Sequence, residues 1–215
     1  MLFCHLTTRV TGDKYPTLLS EKKGTGFPYL VFLDADGNLI AKAGERTVAA
    51  FQKSLKAIAD IKTLESKQNG GDKSVGAKLL IAKLQLGTIA YEEAKTQRAA
   101  ISKLDASTQQ ELDQLLTNLE FSSSMQGPST KEVSAARQLA AAAMFEAGRC
   151  PDGQMATSFY SLVMTHAEAT QNVKLYEQAL NKCKQAIGAN SPFQRLIEQR
   201  EKVLEKMKAS ETTKK

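Results

Sequence analysis

One short stretch constrains the fold of this chain more than any other. Residues Tyr29–Leu33 form a continuous apolar run, with Pro28 before it and Asp34 after it. Such a run is too short for a helix and is typical of a strand buried on both faces. The sequence Asp-Ala-Asp-Gly-Asn follows, and its Asp-Gly pair favours a tight hairpin turn before a second strand at residues 39–43. The chain is therefore expected to contain a β-hairpin in its first part.

The segments on either side of this hairpin complete an α+β pattern. Leu2–Thr8 has the composition of another strand, and Asp13 can cap a short helix that follows it. After the hairpin, apolar residues recur at helical spacing over Val48–Ile58, and Thr47 is placed to cap that helix. These elements predict an N-terminal part at residues 1–60 that contains a partial sheet with helices.

The rest of the chain predicts a linker and then an all-α domain. Residues 61–74 end in a polar stretch with a Gly-Gly pair, which favours a linker. Over residues 75–210 apolar side chains recur at helical spacing, interrupted by breaks such as Gly87 and the Gly-Pro pair at 127–128. Because short loops join these helices, neighbouring helices are expected to pack as antiparallel hairpins.

The stretch GFPYLVFLDADGNLIAKAGERTVAAFQKSL, which begins at Gly26, resembles the C-terminal half of the thioredoxin-like superfamily. The likeness lies in the order of Gly-x-Pro, strand, Asp-Gly turn, strand, glycine and amphipathic helix. It implies that Pro28 is the family's cis-proline and that Phe27 and Pro28 border a substrate groove. The family's thiol chemistry belongs to a C-x-x-C at a helix start, where the thiol pKa is lowered. No C-x-x-C occurs in this chain, so the resemblance implies a truncated domain whose pair would lie upstream of Met1.

The same resemblance implies an incomplete sheet. In this family the strand that leads into the C-x-x-C lies in the middle of the sheet, between the strands that correspond to Leu2–Thr8 and Tyr29–Leu33. Unpaired strand edges favour the addition of a strand from another chain. We therefore expect a homodimer that forms through the incomplete sheet.

The helical part is similar to degenerate tetratricopeptide repeats. Gly87 ends one helix, Tyr91-Glu-Glu-Ala opens the next, and YEQALNKCKQAI from Tyr176 repeats the second-helix pattern. The interval between the two tyrosines is not a multiple of the usual ~34 residues, so the repeats are degenerate. Repeat arrays of this kind bind protein segments on a concave face, so the resemblance implies a protein or peptide partner.

The three cysteines form neither a C-x-x-C nor a zinc-ligand spacing. Cys4 lies in a predicted strand beside His5, on the opposite sheet face, and is expected to be a buried thiol. Cys183 falls on the apolar stripe of its helix, which also predicts burial. Cys150 precedes Pro151 in a turn between helices and is the candidate exposed thiol.

No residue pattern predicts a catalytic site, a metal site or a cofactor. His166 lies among apolar residues of its helix without a second His or Cys at ligand spacing, which favours a half-buried histidine over a metal ligand. The carboxylates lie on predicted helix surfaces, and none is paired with a recognisable base or nucleophile.

Composition excludes several classes of function. The 215 residues carry a net charge of +6, but Lys and Arg are scattered among Asp and Glu and there is no Trp, which disfavours a nucleic-acid partner. No apolar run approaches the ~18 residues of a membrane span. The N-terminal residues lack the basic region and cleavage site of a signal peptide. We expect a soluble protein, and its compartment stays open.

Two functional hypotheses remain. The first is a non-catalytic protein-binding or scaffold protein that combines a thioredoxin-like remnant with helical repeats, which agrees with the lack of a complete catalytic pattern. The alternative is a fragment of a thiol-disulfide oxidoreductase whose C-x-x-C lies upstream. Whether an enzyme is involved depends on that upstream sequence, so this chain alone predicts no enzyme activity.

Overall fold

A computed structural model describes residues 12, 14–22, 24, 26, 28–43, 47–187 and 194–213. The chain divides into two compact units, Met1–Ile89 (unit 1) and Ala90–Lys215 (unit 2). The described residues are mostly helical and include a small two-stranded antiparallel sheet. A helix-rich α+β class is therefore confirmed.

Unit 1 contains the predicted hairpin, but its first strand is shorter than the predicted residues 29–33 and is half-buried rather than buried on both faces. A short helix α1 (Leu18–Glu21) precedes strand β1 (Val31–Leu33), which pairs antiparallel with strand β2 (Leu39–Lys42). The Asp34 carboxylate closes the turn by accepting hydrogen bonds from the backbone N–H of Asn38 at 2.7 Å and from that of Asp36 at 2.9 Å. The turn chemistry read from the sequence is thus confirmed.

Two long helices complete unit 1. Helix α2 (Val48–Asn69) begins at Thr47, whose hydroxyl accepts the backbone N–H of Ala50 at 3.2 Å, and helix α3 (Gly76–Leu86) packs against it. A small core forms where this helix pair meets the hairpin. Its buried residues are Ala41, Ala57 and Leu86, and the partly buried residues that pack against them are Phe32, Ile40, Ile58 and Ile61.

Helix α2 runs through most of the segment predicted as a linker. Of the predicted linker at residues 61–74, the part up to Asn69 is helical. The half-buried Ile61 and Leu64 continue the apolar spacing of the helix, and the Glu65 carboxylate pairs with the Lys83 ammonium of α3 at 2.9 Å. The polar composition therefore belongs to the exposed end of a helix, and the compact units divide after Ile89 instead.

Unit 2 consists of helices in its described residues. They are α4 (Tyr91–Ala99), α5 (Ala106–Ser124), α6 (Lys131–Glu146), α7 (Ala156–Ala169), α8 (Val173–Ile187) and α9 (Gln194–Thr213). Side-chain N-caps start α5 and α6, because Asp105 accepts the N–H of Thr108 at 2.9 Å and Thr130 accepts that of Val133 at 3.3 Å, and Asn172 caps α8 in the same way. The all-α character predicted for this region is confirmed.

Helix α7 is the centre of the unit 2 core. It packs against both α6 and α8, and α8 in turn packs against α9. Phe159, Val163 and Met164 of α7 have no exposed surface. The hydroxyl of the fully buried Tyr176 in α8 donates to the carbonyl oxygen of Arg200 in α9 at 3.2 Å. None of the helices in the described ranges combines the length and apolar character needed to cross a bilayer.

Candidate functional site

An open groove lies on unit 2 between the end of α6 and one face of α8. Its volume is about 590 Å³. The residues that line it are Phe145, Glu146, Asn172, Lys174, Leu175, Gln178, Asn181, Lys182 and Gln185. Both α6 and α8 pack against α7, so α7 links the two helices whose residues line the groove.

The sequence of α8 explains why it presents a polar wall. Asn172 starts the helix by accepting the backbone N–H of Leu175 on its side-chain oxygen at 3.0 Å. Steps of three and four residues bring Gln178, Lys182 and Gln185 onto one exposed face. A second set of residues at the same spacing is buried in the core: Tyr176, Ala179, Leu180 and Cys183.

The charges on the two polar faces of α8 differ in their pairing. Towards α9, Glu177 pairs with Lys208 and Lys184 pairs with Glu201, each at 2.6 Å. Lys174 and Lys182 on the groove face form no ion pair with any residue that the structure describes. The α8 wall of the groove therefore carries two cationic side chains that make no ion pair with a described residue.

Cys150, the candidate exposed thiol, is half-buried instead. Burial raises the pKa of its thiol, and a hydrogen bond with the Tyr160 hydroxyl and the nearby charge of Lys182 lower that pKa by less. The carbonyl oxygen of Cys150 accepts a hydrogen bond from Nε2 of Gln114 in α5 at 3.1 Å. This anchored loop and the packing around Tyr160 explain why a residue in a turn is not fully exposed.

Cys183 is fully buried, as its place on the helical stripe predicted. Burial also raises the pKa of the Cys183 thiol. A redox-active cysteine needs the opposite shift, because the thiolate is the nucleophile. The two cysteines that the structure describes are therefore poorly suited to thiol-disulfide exchange.

The other sequence candidates belong to the N-terminal part of the chain. Pro28 is exposed in a bend before β1 and belongs to unit 1, whereas Phe27 lies outside the described residues. Cys4 and His5, like the predicted strand Leu2–Thr8, also lie outside them. The proposed cis-proline groove therefore stays a prediction.

Metal-binding geometry is not found in the part of the chain that the structure describes. There, no group of three or more His, Cys, Asp or Glu side chains is arranged to hold an ion. His166 is half-buried on α7, as its sequence context predicted. The groove is built from amides, lysines, one carboxylate and apolar side chains, and these groups suit binding through hydrogen bonds and charge.

Sequence reasoning did not identify the groove. The sequence showed the buried stripe of α8, and the polar face opposite read as ordinary solvated surface. A usable signal was present, because Asn172, Gln178, Asn181 and Gln185 place four amides on that face beside its two lysines. Only the packing of α6 and α8 on α7 shows that this face borders a concave surface.

Comparison of the chain with protein-family models, with curated proteins and with solved structures finds no match.

Proposed function

We propose that this protein is a non-catalytic protein-binding or scaffold protein, and that the groove of unit 2 holds a peptide segment of its partner. The observation that carries the proposal is the composition of the groove. Four carboxamides, from Asn172, Gln178, Asn181 and Gln185, lie around the apolar side chains of Phe145 and Leu175. The groove therefore offers many hydrogen-bonding groups around a small apolar surface, here called the apolar floor.

A peptide backbone matches this surface chemically. An extended segment presents alternating N–H and C=O groups, and a carboxamide both donates and accepts hydrogen bonds. Gln178, Asn181 and Gln185 are exposed and make no hydrogen bond with other described residues, so they can bond a partner without breaking an internal contact. Phe145 is half-buried and offers apolar contact for one partner side chain.

The thioredoxin-like and tetratricopeptide-like relationships belong to the same proposal. The order Pro28, β1, turn, β2 and α2 supports the first of them. The successive packing of α6, α7 and α8, with a groove lined by α6 and α8, supports the second. In this proposal unit 1 serves as a scaffold and unit 2 supplies the binding surface.

The test is selection of binding peptides from a displayed library of short random sequences. We expect the wild-type chain to enrich a consensus, and the variant Gln178→Trp to lose binding of the enriched peptides because an indole fills the exposed middle of the groove. Lys184→Trp is the matched control, since it adds the same side chain to the α9 side of the same helix. Failure to enrich any peptide that depends on Gln178 would refute the groove as the binding surface.

A further inference from the structure

The two lysines of the groove determine which kind of segment fits it. Resting on the proposed function, we infer that the partner is an acidic segment in extended conformation. It places two carboxylates on the α8 wall and one apolar side chain between them. Three features of the groove support this: the pairing of charges on α8, the spacing of its lysines and the apolar side chains that line it.

Pairing shows that the groove lysines differ from the other charged groups on α8. Each charged residue of α8 that faces α9, Glu177 and Lys184, has a carboxylate or ammonium partner at 2.6 Å. Lys174 and Lys182 have no ion-pair partner among the described residues, although they lie on the same helix. A bound carboxylate would give each groove lysine the same kind of ion pair that the charged residues facing α9 already have.

The distance between the two lysines determines which positions of the bound segment carry the carboxylates. Lys174 and Lys182 are eight residues apart, which is about 12 Å along a helix. In an extended chain, side chains of residues i and i+4 lie on one face about 13 Å apart. Carboxylates at these two positions therefore reach both lysines, and residue i+2 points into the groove between them.

The apolar floor then selects the middle residue. Leu175 of α8 and Phe145 of α6 both line the groove. Leu175 lies about one helical turn before Gln178, which is midway between the two lysines in sequence. An apolar side chain at i+2 would contact Phe145 and Leu175, while the Gln178 amide bonds the adjacent peptide backbone. The inferred pattern is acidic-x-apolar-x-acidic.

Glu146 is the one carboxylate that lines the groove, and it comes from α6. It forms no ion pair with a described residue. Its charge repels an acidic segment, so it keeps the carboxylates of the partner on the α8 wall. Glu146→Gln should therefore tighten binding of an acidic peptide, an effect opposite in sign to loss of a lysine.

Fluorescence anisotropy of the full chain with labelled synthetic peptides tests the inference. The probe is Gly-Ser-Glu-Ser-Leu-Ser-Glu-Ser-Gly, compared with counterparts that carry Gln or Lys in place of Glu and with one whose two glutamates are adjacent. We expect the spaced acidic peptide to bind tightest and to weaken with added salt. We expect Lys182→Gln to lower its affinity about two- to fivefold, in line with solvent-exposed charge pairs. The matched control Lys184→Gln removes the same charge from the α9 side and should leave the affinity unchanged.

Three results would overturn the inference in different ways. If the Gln or Lys peptide binds as well as the acidic one and Gln178→Trp abolishes that binding, the groove binds peptides but the charge selection is wrong. If an oligothymidylate binds through Lys174 and Lys182 more tightly than the peptide, the lysines serve a nucleic acid. If no peptide binds in a manner that depends on Gln178, the proposed function fails together with the inference.

Discussion

At the scale of single residues, the surroundings of Cys150 decide its chemistry. The thiol lies in the loop after α6 and is hydrogen bonded to the Tyr160 hydroxyl. Burial raises the pKa of Cys150, and burial also raises the pKa of Tyr160. Both groups therefore favour the protonated form at neutral pH, and little of the Cys150 thiol is present as thiolate.

The rate at which iodoacetamide alkylates Cys150 tests this description. Because the thiolate reacts, the midpoint of the rate against pH should lie above the ordinary cysteine value of about 8.5. Tyr160→Phe removes the hydroxyl that lowers the pKa of the thiol, so it should move the midpoint further upward. Peptide mass spectrometry separates the three cysteines in one sample.

The buried Cys183 is the internal control for that measurement. It has no exposed surface and should be protected from alkylation until the chain unfolds. A midpoint for Cys150 at or below that of the chain unfolded in urea would contradict the effect of burial.

At the scale of elements, α8 connects the core of unit 2 to its groove. One face of the helix buries Leu180 and Tyr176, a second pairs its charges with α9, and the third lines the groove. Burial of the first face holds the helix in place, so the exposed groove side chains can be changed at little cost to stability. The substitutions proposed for the groove depend on this separation.

Two leucine-to-alanine substitutions compare how much a buried and an exposed helix face contribute to stability. Leu180 is 1% exposed in α8, whereas Leu139 is 59% exposed in α6. Leu180→Ala should lower the free energy of unfolding by about 2–5 kcal/mol because it leaves a cavity in the core. Leu139→Ala should change it by about 0.5 kcal/mol or less. Urea denaturation followed by circular dichroism gives both values, and equal losses would show that α7 and α8 do not form the core described.

At the scale of the whole molecule, the chain contains two units with separate clusters of buried residues. The cluster around Ala41, Ala57 and Leu86 belongs to unit 1, and the cluster centred on α7 belongs to unit 2. All residues that line the groove belong to unit 2. The proposed peptide binding would therefore be a property of unit 2, and the expected association through a sheet would be a property of unit 1.

Light scattering over a dilution series tests the homodimer expected from the incomplete sheet. The Leu30 carbonyl accepts the N–H of Ala43, and the Asp34 N–H donates to the carbonyl of Asn38. Because successive residues of a strand direct their backbone groups to opposite sides, Val31 and Leu33 direct theirs to the edge of β1 that faces away from β2. We expect a dimer at high concentration. Val31→Pro should weaken it because it removes an outer N–H without removing a hydrogen bond to β2.

Val31→Thr is the control for the proline variant, since it keeps the backbone N–H and a β-branched side chain. It should dimerise like the wild-type chain. A wild-type chain that remains monomeric at all concentrations would show that association through this edge does not occur.

Local sequence determined the elements of this protein well. The Asp-Gly turn, the Thr47 cap and the helical stripe that contains Cys183 each depend on neighbouring residues, and the structure has all three. Turn chemistry, capping and apolar periodicity act over a few residues, so they can be read without knowledge of the fold. The helix-rich class of the protein followed from these features.

Tertiary structure decided the remaining features, because they depend on residues distant in sequence. The polar end of α2 is helical where Glu65 meets Lys83 of α3, and Cys150 is half-buried where Gln114 of α5 holds its loop. The groove exists because α6 and α8 both pack on α7, which brings exposed residues of these two helices around one concave surface. Each of these outcomes is set by which helices meet, and apolar spacing within one helix carries no information about its partner.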